Sequence, residues 1–191
     1  MVSKTTKKKG GKKKFFEVSL LPLTSAKVQL YGFGPEDFEG NVIKLDMTRN
    51  LRGKNLELKA RVQNNDGKLT GNTYSLQLIP SYLRRAVRKG TDYVEDSFES
   101  ECKDAKLRIK PLLITRNKVS RNIRKALRDE AKKHIQGKTP RLTKDEIFSE
   151  IMSNRLQKEM SNKLKKIYPL AMSEIRMIIA SDKPIQKEKS E

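Results

Sequence analysis

Tryptophan is absent, and cysteine and histidine occur once each, as Cys102 and His134. A single thiol excludes an internal disulfide and any zinc site built from several cysteines. A single imidazole excludes a His-rich metal centre. Aromatic residues are 6% of the chain, which is thin material for reading bases by stacking. No apolar run approaches the ~20 residues of a membrane span. The Lys-rich N-terminus has no apolar stretch after it, so it does not read as a secretory signal. Acids are also short: 23 Asp and Glu stand against 43 Lys and Arg, a formal charge of +20. A compact protein with that charge repels itself unless a polyanion neutralises it. Nucleic acid is the first candidate, because each neutralised phosphate releases a counterion. An anionic membrane surface is the second. The expected location is the cytoplasm.

Hydrophobic residues are 35% of the 191, a low share, yet they are patterned, and a folded core is expected. Residues 1–14 carry seven lysines, two glycines and no acid. With nothing apolar to bury, they are expected to be a tail. Residues 15–182 are expected to form one α+β domain, strand-rich over 15–115 and helix-rich over 116–182, and residues 183–191 a polar tail. Strands are expected over 16–21, 27–32 and 41–47, the last with Ile43, Leu45 and Met47 on one face. Leu56, Leu58, Ala60 and Val62 occupy every second position, the period of a half-buried strand. Asn64-Asn65-Asp66-Gly67 signals a hairpin turn, and Tyr74, Leu76 and Leu78 the return strand. A short helix is expected over 81–90, with Ser81 as N-cap and Gly90 as stop. Thr91 to Asp104 holds six carboxylates and one lysine, with Val94, Phe98 and Cys102 pointing inward. In the next strand Leu107 and Ile109 face one way and Lys106, Arg108 and Lys110 the other, and Pro111 marks an edge or an irregularity.

Helices dominate the last third. Val119, Ile123, Ala126, Leu127 and Ala131 recur at helical spacing over 118–136, and Gly137 is expected to stop that helix. Thr143-Lys144-Asp145-Glu146 is a capping box. The helix it opens is expected to run to about Lys166, and a last strand covers 173–180.

No constellation for catalysis emerges. His134 lies between Lys133 and Ile135 and reads as a surface residue, not a general base. Tyr31-Gly32-Phe33-Gly34-Pro35 lacks the third glycine and the Lys-Ser or Lys-Thr of a phosphate loop. Glu95, Asp96, Glu99 and Glu101 lack the spacing of a cation-binding loop and read as a solvated face or a dock for a basic neighbour. Cys102 reads as core filler. No enzyme activity, metal or cofactor is expected.

A basic surface does recur. From Lys103 to Arg141 there are fourteen basic residues and three acids. Arg121, Arg124, Arg128 and Lys132 follow three- and four-residue steps, with Lys125 beside them, so they form a cationic stripe next to the apolar one. The candidate RNA contacts are Lys7, Lys8, Lys9, Lys12, Lys13 and Lys14 in the tail; Arg84, Arg85 and Arg88; Lys106, Arg108 and Lys110; and Arg116, Lys118, Arg121, Arg124, Lys125, Arg128 and Lys132. With few aromatics and no RNP-type motif, contact is expected to be with phosphates and RNA shape more than with bases.

Phe16-Glu17-Val18-Ser19-Leu20, the Gly40 to Asn50 stretch with Met47-Thr48-Arg49, and Lys166-Ile167-Tyr168-Pro169-Leu170 resemble the archaeal and eukaryotic small-subunit ribosomal protein family e-S-one, formerly S-three-a. Order and spacing agree over roughly residues 15–182, and the short ends look archaeal. The resemblance implies a β-barrel-like strand core with helices packed on it and a structural place in the small ribosomal subunit. It implies binding to small-subunit ribosomal RNA on the platform, near the messenger RNA exit and the RNA 3′ end. Neighbouring platform proteins such as the universal S-eleven protein are implied partners, with messenger RNA a further contact. No homo-oligomer and no membrane are expected. The alternative is a DNA- or chromatin-binding protein, which explains charge and tail equally well. A nucleic-acid-processing enzyme would have to draw on Asp129, Glu130 and His134, and a membrane-surface protein would need aromatic anchors that the basic helix lacks.

Overall fold

Alternating polarity produces most of the strands, and helical periodicity most of the helices. The computed structural model describes residues 12–20, 23–49, 51, 54–65 and 67–181. Lys7, Lys8 and Lys9, with most of the basic tail, and the polar C-terminal tail lie outside the described residues. Strands β1 (Lys14–Ser19), β2 (Lys27–Gly32), β3 (Val42–Asp46), β4 (Leu56–Asn65) and β5 (Lys68–Leu78) come first. Helix α1 (Pro80–Ala86) precedes β6 (Tyr93–Glu95), β7 (Phe98–Glu101) and β8 (Lys106–Thr115). Then follow α2 (Arg121–Lys138), α3 (Lys144–Met152), α4 (Arg155–Leu164) and β9 (Leu170–Ser181). This is the α+β order expected.

Two compact units divide the chain: Met1–Ile43 with Ala60–Asn72, and Lys44–Lys59 with Thr73–Glu191. In the first, β1 and β2 are antiparallel, with Phe15 opposite Tyr31 and Phe16 opposite Leu30. β1 also runs parallel to the start of β5, Val18 facing Leu69. Val18, Phe38, Ile43, Val62 and Leu69 make the core, with Phe16, Val28 and Leu30 packed against it. The hairpin turn forms where the Asn-rich run predicts it. Gly67 takes φ +84°, and its N–H donates to Asn64 Oδ1 at 3.1 Å. Glycine adopts that conformation without a Cβ clash.

In the second unit β8 is central. It pairs with β9 from Lys106–Ser181 to Thr115–Leu170, and its other edge carries β7 and then β6. Pro111 sits at a register shift against β9 and between the stretches paired to β7 and β6, so the N–H that proline lacks breaks no ladder. β9 continues to the end of β5, Ser75 opposite Ile179. The strand path, β2-β1-β5 in one unit and β5-β9-β8-β6 in the other, does not return on itself. Among the described residues the mixed sheet does not close, and strands with helices packed on them fit the α+β class expected.

The helices bury Leu127, Ala131 and Ile135 from α2, Ile147, Phe148 and Ile151 from α3, and Leu156, Met160 and Leu164 from α4. Full burial of the Leu, Ile, Phe and Met side chains among these stabilises by roughly 1.5–3 kcal/mol each. Several boundaries differ from expectation. Pro80 opens α1 at its first position with Ile79 before it, and the helix stops at Ala86, ahead of Gly90; proline's fixed φ suits that first turn better than a Ser81 cap. Helix α2 runs through Gly137 to Lys138. The single helix expected over 143–166 is two helices, because Asn154 turns left-handed at φ 60°. The capping box holds: Glu146 N–H donates to Thr143 Oγ1 at 3.4 Å and Thr143 N–H to Glu146 Oε2 at 2.8 Å. That backbone donor, with the Thr143 hydroxyl, holds the Glu146 carboxyl below its ordinary pKa.

Candidate nucleic-acid interface

The approach to α2 is pinned before the helix begins. Thr115 N–H donates to the Asp92 carbonyl at 2.9 Å, Asp92 N–H to Thr115 Oγ1 at 3.1 Å, and Val119 N–H to Asp92 Oδ2 at 3.0 Å. Ser120 then caps α2, its hydroxyl accepting from Ile123 N–H. Arg116 and Lys118 are left exposed on this connection. At about 100° per residue, Arg121, Arg124, Lys125, Arg128 and Lys132 fall within an arc of about 100° on the helix. Four of the five are exposed and Arg124 is half-buried. None of these seven cations shares a salt bridge with an acid among the described residues; Lys132 lies over the Phe98 ring, 6.0 Å from its centroid. The opposite side of α2 packs on α4, β6 and β7. A cationic face on a helix anchored by its buried side is thus held in place, with no salt bridge to an acid among the described residues.

Lys138, at the end of the same helix, differs. Its ammonium lies 2.7 Å from Glu150 of α3 and 2.8 Å from Glu159 of α4. Burial works against its charge, but the hydrogen bonds to both carboxylates outweigh it and raise its pKa. The Lys138 hydrogen bond correspondingly lowers that of Glu159. This lysine ties three helices together and is not a free contact.

The acidic stretch, expected to face a protein neighbour or solvent, is answered within the chain. Arg108 donates to Glu99 at 2.6 Å, Lys106 lies 3.0 Å from Glu101, and Arg176 of β9 donates to Glu95 at 2.6 Å. The antiparallel β7–β8 register sets Glu99 opposite Arg108 and Glu101 opposite Lys106. Lys106 and Arg108 are therefore already paired, and only Lys110 of that trio has no acid partner among the described residues. The pairs are mostly exposed, and exposed pairs contribute ~0–1 kcal/mol, so exchange for a phosphate costs little. Arg84, Arg85 and Arg88 are exposed on and after α1. Lys12, Lys13 and Lys14 are exposed at the start of β1. Cys102 is half-buried and donates to the Ala105 carbonyl at 2.9 Å.

His134 is not on the surface. It is 9% exposed, and its Nδ1 has no hydrogen-bond partner among the described residues. Burial first, then the positive charge of Lys163, holds its pKa below the ordinary 6.5; Lys138 acts the same way and Glu159 and Glu130 oppose it. A base with a depressed folded pKa is protonated more readily when unfolded, so it contributes stability that is whole above about pH 6.5 and lost as pH falls toward the folded value. The melting temperature should fall from pH 7 to pH 5.5, and His134→Leu should flatten that decline. An equal decline in His134→Leu, followed by circular dichroism, would assign the effect elsewhere.

Comparison with known proteins adds a lineage to this geometry. The model of the ribosomal S3Ae family matches residues 36–184. Three archaeal relatives are each named small ribosomal subunit protein eS1. That of Desulfurococcus amylolyticus is 28% identical over 146 residues, 74% of this chain and 68% of its own. That of Methanothermobacter thermautotrophicus is 31% identical over 100 residues, 52% and 51% of the two chains. That of Saccharolobus islandicus is 30% identical over 132 residues, 68% and 64%. The matched part spans between about half and two thirds of these relatives' lengths. With the family match covering most of the chain, this protein belongs to the ribosomal S3Ae family and is of the archaeal type.

Proposed function

We propose that the protein is a structural constituent of the small ribosomal subunit, that it binds small-subunit ribosomal RNA, and that it performs no chemistry. The observation that carries this reading is the cationic face of α2. Five basic side chains share one side of a helix without internal counter-charge, and a burial-anchored helix holds them at nearly fixed spacing. Contact of this kind is with phosphates and groove shape. Family membership supports the ribosome as the source of that RNA, and the cytoplasmic ribosome as its location. The platform near the messenger RNA exit and the RNA 3′ end is the proposed position, with the universal S-eleven protein among its neighbours and messenger RNA a passing contact. The Lys-rich tail is proposed to extend the same phosphate contact.

Sedimentation of a native cell extract through sucrose in low and high salt tests the assignment. The protein should comigrate with small subunits and whole ribosomes, and stay with them in high salt. Recovery at the top of the gradient, or with chromosomal DNA, would overturn it in favour of the DNA-binding reading.

A further inference from the structure

We infer that the outward face of β1 and β2 is a stacking platform for unpaired RNA bases. This deepens the RNA-binding reading and rests on it, but it uses a surface of the first unit that owes nothing to α2. Strand alternation sends Phe16, Val18, Val28 and Leu30 into the first unit's core. The same alternation sends Phe15 and Tyr31 to the other face, directly opposite each other in register. Their ring centroids are 4.9 Å apart at an interplanar angle of 43°. Phe15, Tyr31 and Phe33 are 69%, 57% and 54% exposed. One exposed ring is ordinary; three gathered on one strand pair and the residue just past its end are an exposed apolar patch of the kind that marks a binding surface. Lys13 joins them: its ammonium is 5.6 Å from the Tyr31 centroid and 5.2 Å from that of Phe33.

The charge around the rings selects the occupant. Residues 12–33 carry four lysines and one carboxylate. That carboxylate, Glu17, is paired with Lys27 at 3.1 Å. An apolar protein neighbour would have to bury the Lys13 ammonium against the rings without a counter-charge, which is costly. A nucleotide run supplies both complements, a phosphate for the lysines and a π-face for each ring. Base-paired RNA does not expose base faces, so the ligand is a single-stranded ribonucleotide segment, from ribosomal or messenger RNA.

The test uses the full chain and two dye-labelled RNAs, a mixed-sequence single-stranded decamer and a hairpin duplex, followed by fluorescence anisotropy. Phe15→Leu, Tyr31→Leu and Phe33→Leu combined keep apolar surface but remove the π-faces, and circular dichroism checks the fold. Single-strand affinity should fall at least about tenfold with the salt slope unchanged, since no phosphate contact is lost. Duplex affinity should stay as in the parent. A second readout needs no disruptive change: without tryptophan, tyrosine emission is visible. The unlabelled decamer should quench it in the parent and quench it less in Tyr31→Phe, which still stacks and keeps its affinity. Unchanged single-strand binding in the triple variant would overturn the inference and leave the rings to a protein neighbour. Equal losses on both RNAs would also overturn it. A parent that binds the decamer but not the duplex would instead count against the α2 interface and leave the platform standing.

Discussion

Arg121→Glu and Arg128→Glu together should lower affinity for small-subunit ribosomal RNA at least about a hundredfold near 0.1 M salt, because each phosphate contact contributes about one power of salt to binding. The slope of log affinity against log salt should fall by about 2. Both side chains lie on the exposed cationic arc of α2 and neither meets an acid among the described residues, so their removal breaks no internal pair. Arg121 is the first residue of the helix, where a carboxylate is favourable to the macrodipole. Glu also forms helix about as well as Arg. The melting temperature should therefore stay within about 2 °C of the parent, the range of ordinary surface changes in a chain of this size. Filter binding at four salt concentrations reads both quantities. Unchanged affinity and slope would mean that RNA meets some other face, with α1's arginines or the β1 lysines next in line. A lost thermal transition would mean that the helix needs these charges to fold.

The cationic stripe of α2 was legible beforehand, for a physical reason. A stripe on one helix is a local property, set by 3.6 residues per turn and visible in the spacing of Arg121, Arg124, Arg128 and Lys132. The 64–67 turn and the capping box at Thr143 are local too, and both stand. What escaped was tertiary. The carboxylates of β6 and β7 read as a solvated face or a dock for a basic neighbour; the sequence left unseen that counter-charges lie across a hairpin from β7, at Lys106 and Arg108, and on β9, where Arg176 meets Glu95 of β6. The alternation of acid with Phe98 and Ser100, and of base with Leu107 and Ile109, was the available signal. His134 was misplaced because its neighbours are polar on one side, yet it stands seven residues after Leu127 and three after Ala131, on the buried face. The break at Asn154 was hidden by the regular apolar steps on either side of it, Ile147 and Ile151 before and Leu156, Met160 and Leu164 after, although the step that crosses it, from Ile151 to Leu156, is five residues and breaks helical spacing. Asn is the non-glycine residue most at ease with positive φ, and that was the one clue. The gathering of Phe15, Tyr31 and Phe33 was not legible either, because a share of aromatics averaged over the chain says nothing about where they meet.

The same escape applies to Lys54, which no local pattern distinguishes and which should be among the most damaging residues to change. Its ammonium donates to Asn154 Oδ1 at 2.6 Å and forms a salt bridge with Glu174 of β9. The two paired side chains are only 10% and 16% exposed, so water screens them little. Lys54→Met should destabilise by about 3–5 kcal/mol, because it strands the Glu174 carboxylate in a nearly dry site and removes the donor that meets Asn154 at the α3–α4 break. At roughly 2–4 °C per kcal/mol, the melting temperature should drop by about 10 °C. Glu174→Leu in the Lys54→Met background should recover most of the loss, since the uncompensated charge, more than the missing attraction, is what costs. Glu174 also faces Tyr82, whose hydroxyl pKa is raised first by burial and then by that negative charge; the double variant should lower it toward 10. RNA affinity should hold at temperatures below the transition, because Lys54 is spent inside the second unit and leaves the cationic arc of α2 untouched. A Lys54→Met protein that melts within about 2 °C of the parent would show that water reaches the pair, and that the α3–α4 break is held by the packing of Leu156 and Met160 alone.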